Sequence, residues 1–210
     1  MKVVAINGSP KKEGNTYHAI NIVGEELKKQ GIELEVINVG ITSVRGCLAC
    51  GKCAENQNEK CIIDDAANEW IQKMKEAEGI LLASPVYYSS IAGNLKGFLD
   101  RAFFVSSANG NLFRHKVGAA IVAVRRAGGI PTFHQLNNYL MYSEMLVPTS
   151  NYWNVIYGRM PGEVHQDEEG VQIMKVLGKN MAWLMKLVKN GKSEIEPPEK
   201  EVKKVTNFIR

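Results

Sequence analysis

Short apolar runs alternate with longer amphipathic stretches along the chain, and this alternation limits the possible folds more than any other feature of the sequence. The apolar runs predict strands at residues 3–6, 32–39, 79–83, 117–124 and 146–149. The amphipathic stretches predict helices at residues 16–30, 65–77, 91–104, 131–145 and 170–189. This alternation predicts an α/β fold with a doubly wound, five-stranded parallel sheet in the order 2-1-3-4-5 and helices on both faces.

The length and composition fit one domain. With 210 residues, 45% of them hydrophobic, the chain can bury a core without crosslinks. We expect this domain to span residues 1–190 and a polar tail to span residues 191–210. The 26 basic and 22 acidic residues give a small excess without a basic stripe, which argues against nucleic acid as a partner. Because no apolar run is long enough for a signal peptide or a membrane span, we expect a soluble, cytoplasmic protein.

All four cysteines, Cys47, Cys50, Cys53 and Cys61, lie in one loop, residues 43–63, inserted after the second predicted strand. In a reducing compartment, clustered thiols usually indicate metal or redox chemistry. The spacing Cys-x2-Cys-x2-Cys-x7-Cys lets a compact loop direct four thiolates to one centre, as a cuboidal iron–sulfur cluster requires. Zinc sites more often pair two Cys-x2-Cys knuckles across a longer interval. The spacing therefore favours a cluster, and reduced or disulfide-linked thiols, zinc and a vestigial loop are the alternatives.

A glycine-bearing turn joins the first predicted strand to the first helix. It runs from Gly8-Ser9-Pro10 to Gly14-Asn15-Thr16. Such a turn places hydroxyls, an amide and backbone N–H groups at the positive end of a helix, where phosphate binds. The turn lacks the Walker lysine pattern and the Gly-x-Gly-x-x-Gly fingerprint, so the phosphate of a flavin mononucleotide fits better than ATP or NAD. The alternative is that Ser9, Asn15 and Thr16 only cap the helix.

Two further loops follow the third and fourth predicted strands. They are Ser84-Pro85-Val86-Tyr87-Tyr88-Ser89-Ser90 and Arg125-Arg126-Ala127-Gly128-Gly129. In a sheet of the predicted order, the loops after strands one and three flank the crevice where the strand order reverses, so both face one ligand. Tyrosines can lie against a flat ring, and glycines let backbone N–H groups approach its polar edge. Ordinary half-buried tyrosines and a plain glycine turn are the alternatives.

These motifs together resemble the flavodoxin-like NAD(P)H-dependent FMN reductase superfamily. The resemblance rests on the first turn, the cysteine loop with Cys61-Ile62-Ile63-Asp64-Asp65, the segment Ser84-Pro85-Val86-Tyr87, and Lys96-x3-Asp100-Arg101. Within this superfamily, the cysteine spacing is similar to that of the iron–sulfur flavoproteins of anaerobic prokaryotes. The resemblance covers residues 1–190 and implies a flavodoxin-like fold, one FMN per subunit, a [4Fe-4S] cluster held by the four cysteines, and a homodimer or homotetramer.

The three loops supply the residues that we expect to bind FMN. They are Ser9, Lys11, Asn15 and Thr16 in the first loop, Pro85, Val86, Tyr87, Tyr88 and Ser89 in the second, and Ala127, Gly128 and Gly129 in the third. We assign no catalytic acid or base, because a flavin carries the redox chemistry and the fold supplies position and electrostatics. We expect Lys96, Asp100 and Arg101 to pair on a helix surface or to contact another subunit.

The resemblance implies electron transfer from ferredoxin or reduced nicotinamide, NAD(P)H, to an acceptor such as oxygen, peroxide or a quinone. The alternative function is a cluster-free NAD(P)H-dependent FMN or quinone reductase in which the cysteine loop is a lid. A regulatory module that binds metal or nucleotide without turnover is a third class, since fold alone does not fix function. Iron and sulfide content separates the first two classes, and bound FMN separates both from the third.

Overall fold

The computed structural model of the chain describes residues 1–206, 208 and 209. Its strands are β1 (Lys2–Asn7), β2 (Glu33–Asn38), β3 (Gly79–Tyr87), β4 (Ser90–Ile91), β5 (Val117–Val124) and β6 (Val155–Tyr157). Five strands pair in parallel in the order β2-β1-β3-β5-β6, and the two-residue β4 pairs antiparallel with β3. Without β4, the parallel strands follow the predicted order 2-1-3-4-5. The predicted fold class is therefore confirmed.

Six α-helices lie among the described residues and cover both faces of the sheet. They are α1 (Asn15–Lys29), α2 (Lys52–Asn56), α3 (Ala66–Glu76), α4 (Gly93–Ala108), α5 (Gly129–Tyr142) and α6 (Glu168–Gly191). Buried residues of α1 and α6 form a core on one face of the sheet, and those of α3, α4 and α5 form a core on the other face. Successive residues of β3, such as Leu81 and Leu82, enter opposite cores, as the alternation of side chains along a strand requires.

The fifth parallel strand lies further along the chain than the sequence predicts. The prediction of a strand at residues 146–149 is wrong, because Leu146 forms only an isolated bridge with Val117. The strand is instead β6, which begins at Val155 opposite Val122. It has three residues, and its length explains why no apolar run reveals it. The expected edge position of β2 is confirmed, since β2 pairs with β1 alone.

The chain beyond α6 contains turns and extended segments, and no further helix or strand lies among its described residues. Side chains of the domain and of this segment join the two: Arg114 donates to the carbonyls of Pro198 and Glu199, and Lys203 donates to the hydroxyl of Tyr142. The predicted tail at 191–210 includes positions 207 and 210, which lie outside the described residues. Within the described part of the chain, no helix combines the length and the apolarity that crossing a membrane requires.

Phe98 of α4 gives a direct test of the core that underlies the site. It is fully buried, and its ring meets that of Trp70 edge to face with centroids 5.4 Å apart. Replacing a buried phenylalanine by alanine removes apolar contact and leaves a cavity, so we expect Phe98→Ala to lower the free energy of unfolding by about 3–5 kcal/mol in urea denaturation. The control Phe208→Ala, at a position 95% exposed, should change it by less than about 0.5 kcal/mol. Equal losses in both variants would contradict the assigned core.

Candidate functional site

The three candidate FMN loops leave the sheet at the same edge. In the parallel register, Asn7 at the end of β1 pairs with Ala83 of β3, and Pro85 of β3 pairs with Ala123 near the end of β5. Each loop therefore starts at the carboxyl end of a strand, which is where ligands of open α/β sheets bind. The loop after β6 begins at this edge as well, because Tyr157 pairs with Val124.

The first loop is folded by its own side chains and leaves the start of α1 uncapped. Asn7 Oδ1 accepts from the backbone N–H of Ser9 at 3.0 Å, and Ser9 Oγ accepts from the N–H of Lys11 at 3.2 Å. The N-cap residue of α1 is Gly14, and no side chain of the described residues caps the helix there. The interpretation of Ser9, Asn15 and Thr16 as mere caps is therefore wrong. The first N–H groups of α1 stay available to an anion.

Two glycines that the sequence reasoning missed hold this loop from outside. A Cβ atom at Gly40 would lie 2.2 Å from the carbonyl oxygen of Ser9, and one at Gly158 would lie 2.8 Å from Asn15 Nδ2. Both are close approaches that only glycine allows. Asn15 Oδ1 is buried without a hydrogen-bond partner among the described residues. As an acceptor it suits a donor such as a hydroxyl group, whereas the helix N–H groups suit the phosphate.

The second loop is the turn of the β3–β4 hairpin. Val86 pairs with Ile91 and Tyr87 with Ser90, so Tyr88 and Ser89 form a two-residue turn. Their φ angles are 50° and 57°, values of the left-handed region. Paired positive φ values are typical of a type I′ turn, which normally carries asparagine and glycine. The turn projects the Tyr88 ring fully into solvent.

The third loop packs directly against the second. Gly128 has a φ of 88°, and a Cβ atom there would lie 2.8 Å from Val86 Cγ1 and 2.9 Å from the Cα of Ser89. Only glycine meets both constraints. Gly128 is also the N-cap of α5, and no side chain of the described residues caps it. The structure thus brings the second and third loops together at one end of α5, with Ala127 exposed beside them.

The four cysteines line one cavity of about 230 Å³ on the α4 side of the sheet. Most of its other lining residues are apolar, including Leu48, Ile62 and Phe104. All four thiols are free. Among the described residues, no three His, Cys, Asp or Glu side chains are close enough to hold a single metal ion. In a cuboidal cluster each thiolate binds its own iron atom, so its ligands surround a volume and do not meet at one atom.

Asparagine side chains fix the cysteine loop to the neighbouring helices. Asn68 of α3 accepts from the N–H of Cys61 at 2.8 Å and donates to the carbonyls of Cys61 and Ile63. Asn109, at the end of α4, accepts from the N–H of Glu59 at 2.9 Å and donates to the carbonyl of Cys53 at 3.2 Å. The polar segment before Cys61 is therefore anchored at both ends.

The environment of Cys53 raises the pKa of its thiol above the ordinary value. Burial raises the pKa of Cys53, and the nearby Cys47 and Cys61 add to this effect. In the same loop, the N–H of Ala49 lies 3.4 Å from Cys47 Sγ and donates to it. The backbone at Ala49 and Gly51 is left-handed, with φ of 50° and 73°. These turns wind the chain so that successive cysteines can face the cavity.

Arg101 lies at the wall of this cavity and not on the helix surface where the sequence places it. Its side chain is fully buried, and its Nη1 and Nη2 donate to both carboxylate oxygens of Asp65 at 2.7 and 2.8 Å. Burial alone would lower the pKa of Arg101. Its bonds to Asp65, together with the nearby Cys61, outweigh this effect and raise the pKa. The expected surface pair is confirmed for Lys96 and Asp100, whose charged groups lie 2.6 Å apart. For Arg101 the expectation is wrong.

Residues 1–159 of the chain match the family described as NADPH-dependent FMN reductase. The chain belongs to this family. Membership makes it an FMN redox protein and an oxidoreductase, which confirms the family that the sequence resembles.

Several relatives of this FMN reductase family member carry the same descriptive name. The chain is 36% identical over 196 residues to an iron-sulfur flavoprotein of Methanocaldococcus jannaschii, an alignment that covers 90% of this chain and 100% of the relative. It is 29% identical to an iron-sulfur flavoprotein of Methanosarcina thermophila, with 92% and 100% coverage. The chain is also 26% identical to an NADPH azoreductase of a Bacillus strain, in an alignment that covers 65% of this chain and 67% of the relative.

Solved structures support the fold of this family member. RosB, determined with bound 8-demethyl-8-formylriboflavin-5'-phosphate, superposes with a TM-score of 0.73 at 17% identity, covering 100% of this chain and 94% of RosB. A flavodoxin from the domain Archaea superposes with a TM-score of 0.59 at 17% identity, covering 89% and 99%. At these identities the likeness concerns the fold alone.

The ion pair between Arg101 and Asp65 predicts a pH-dependent stability. Hydrogen bonding to Arg101 holds the pKa of Asp65 below its ordinary value of 3.8, so the pair stabilises the fold above that pH and is lost as pH falls through the lowered pKa. At pH 7 we expect Asp65→Asn to lower the free energy of unfolding by about 1–3 kcal/mol. Urea denaturation of the cofactor-free protein at stepwise lower pH should show this difference shrinking.

Asp64→Asn is the matched control, since Asp64 is the exposed neighbour of Asp65. It should leave the free energy of unfolding nearly unchanged across the same pH range. An Asp65→Asn deficit that stayed constant down to the lowest pH would contradict an ionic contribution from this pair.

Proposed function

We propose that the chain is an iron–sulfur flavoprotein that transfers electrons between a [4Fe-4S] cluster at the four cysteines and FMN at the carboxyl edge of the sheet. The observation that carries this proposal is the shared cavity: Cys47, Cys50, Cys53 and Cys61 line one largely apolar volume. The names of the relatives from two methanogens support the same assignment. FMN exchanges electrons one or two at a time, which lets one protein serve both two-electron and one-electron partners.

The donor set of the cavity fits a cluster. Four thiols are the ligands that cuboidal clusters use, and most of the lining around them is apolar. The Ala49 N–H bond to Cys47 Sγ is a backbone donor to a ligand sulfur, and such bonds stabilise thiolate charge. The asparagines that anchor the loop hold the backbone of Cys53 and Cys61 in place. The residues therefore supply ligands, hydrogen bonds and a supporting shell.

The three loops fit the parts of FMN. The uncapped start of α1, with Ser9, Thr16 and the nearby Lys11, suits the phosphate, and the unpartnered Asn15 Oδ1 suits a hydroxyl of the ribityl chain. Pro85, Val86 and the hairpin turn at Tyr88 and Ser89 form one side for the ring. Backbone N–H groups of Ala127, Gly128 and Gly129 approach from α5. These residues bind and orient the flavin, and we assign none of them a proton-transfer role.

The proposed donors are ferredoxin or NAD(P)H, and the proposed acceptors are oxygen, peroxide or a quinone. The proposed assembly is a homodimer or homotetramer of a domain at residues 1–190, with the tail at 191–210 outside it. A cluster-free NAD(P)H-dependent FMN or quinone reductase is the second candidate. The family's description and the NADPH azoreductase relative favour it. In that case the cysteine loop would cover the site as a lid.

Loss of one cysteine separates these two functions. In protein purified without oxygen, we expect about four irons and four sulfides per FMN, with a broad visible absorption beneath the flavin bands. Cys61→Ser should remove most of the iron and sulfide and retain the FMN, because the flavin loops are distinct from the cavity. Lys60→Ser, which alters the adjacent loop residue without removing a thiol, should retain both. Wild-type protein with FMN but without iron would favour the reductase.

The phosphate assignment of the first loop predicts a ligand-specific loss of affinity. Thr16 is buried at the start of α1, and Thr16→Val removes its hydroxyl at nearly constant volume. A hydrogen bond to a charged group contributes about 1.5–3 kcal/mol, so the dissociation constant for FMN should rise about tenfold or more. Riboflavin, which lacks the phosphate, should bind both proteins equally in fluorescence titrations. Thr16→Ser should restore FMN affinity, and equal losses for both ligands would contradict the assignment.

A further inference from the structure

We infer that Arg101 supplies the positive charge beside the cluster in the cysteine cavity: its guanidinium raises the reduction potential of the cluster, and its Nε–H donates a hydrogen bond to a sulfur. This inference rests on the proposed cluster. The sequence offers no sign of it, because Arg101 sits beside Asp100 in a segment that is typical of a surface ion pair.

The bonding of Arg101 leaves one donor free. Nη1 and Nη2 contact Asp65, and they also donate to the carbonyls of Arg45 at 3.4 Å and Ile63 at 3.1 Å. Nε is buried and has no hydrogen-bond partner among the described residues. Arg101 lines the same cavity as the four cysteines. A buried, unpaired donor on a cavity wall needs an acceptor, and the ligand sulfurs and the occupant of the cavity are the acceptors at hand.

The distribution of charge around Arg101 also favours a negatively charged group in the cavity. Its side chain is fully buried, whereas that of Asp65 remains 32% exposed, so water screens the carboxylate more than the guanidinium. Cys61 and the guanidinium of Arg101 both line this cavity. Most of the remaining wall is apolar. An iron–sulfur cluster with four thiolates has a net negative charge, and Arg101 is the buried cation that this wall presents to it.

A positive charge and a hydrogen bond at a cluster both favour its reduced form. Net charge and hydrogen bonds to the sulfurs are among the factors that set the potential of such clusters. Arg101→Gln removes the charge, so the potential should fall. Asp65→Asn removes the negative charge that is paired with the guanidinium, so the potential should rise. If Arg101 only held the loop in place, the two variants would not shift the potential in opposite directions, because both break the same ion pair.

The experiment compares four oxygen-free holoproteins: wild type, Arg101→Gln, Asp65→Asn and Arg101→Lys. Iron, sulfide and FMN are measured first, and the reduction potential of the cluster is then determined by a redox titration followed by electron paramagnetic resonance. Arg114→Gln is the matched control, since Arg114 pairs with Glu144 and is absent from the cavity wall. It makes the same change in net charge at another place.

We expect Arg101→Gln to lower, and Asp65→Asn to raise, the ratio of reduced to oxidised cluster at a given potential by about tenfold, which is about 59 mV for a one-electron couple. Arg101→Lys should shift it less than Arg101→Gln, and Arg114→Gln should leave it unchanged. Shifts in the same direction for Arg101→Gln and Asp65→Asn, or no shift in either, would overturn the inference.

Three further outcomes are decisive. If Arg101→Gln does not retain a cluster, the potentials of Asp65→Asn and Arg101→Lys test the inference instead. An unchanged potential in Asp65→Asn would then overturn it. Wild-type protein without iron and sulfide would overturn the proposed function and, with it, this inference. Wild-type protein with a full cluster and unshifted variants would overturn the inference alone.

Discussion

The parallel pairing of β1 with β2 and β3 is the constraint on which the rest of the structure depends. Because these strands run in one direction and in register, their carboxyl ends reach the same edge of the sheet. The loops that follow β1, β3 and β5 must then start beside one another, however far apart they are in sequence. Crossovers through the helices make this arrangement possible, and the helices also bury both faces of the sheet. A ligand at this edge therefore meets a surface that the pairing of the core has already assembled.

No strand lies in the cysteine loop, residues 43–63, so side chains of the neighbouring helices and not strand pairing hold its backbone in place. Asn68 and Asn109 bind its backbone, and the buried guanidinium of Arg101 reaches residues on both sides of the cysteines, Arg45 and Ile63. An ion pair with a buried guanidinium is rarely a net gain in stability, since that charge loses its hydration. Its persistence here is understandable if specificity of position matters more than stability. The two sites of the molecule are thus built on different principles, one on strand register and the other on polar anchors.

Much of this architecture could be predicted from the sequence, because it depends on local patterns. The run at Val117–Val124 became β5 with unchanged bounds, and Asp65 caps α3 at the start of the predicted helix, accepting from the N–H of Ala67. The errors have a common cause in non-local partners. Leu146 resembles the start of a strand, but the sheet takes its last strand from three residues at Val155–Tyr157. Arg101 resembles a surface residue because its partner Asp65 lies 36 positions away. The spacing of the cysteines was enough to place them in one loop. The cavity that they line could not be predicted from it, because residues of α4 form part of the wall.

Gly40 ties the two sites together. It lies in the turn just after β2, presses against the carbonyl of Ser9 on one side, and accepts a hydrogen bond through its own carbonyl from Asn94 of α4. The cysteine loop leaves the domain only a few residues later. The turn after β1 and the chain leading into the cysteine loop therefore meet at one glycine. A side chain at position 40 would overlap the backbone of that turn, so we expect a substitution there to disturb both candidate sites at once.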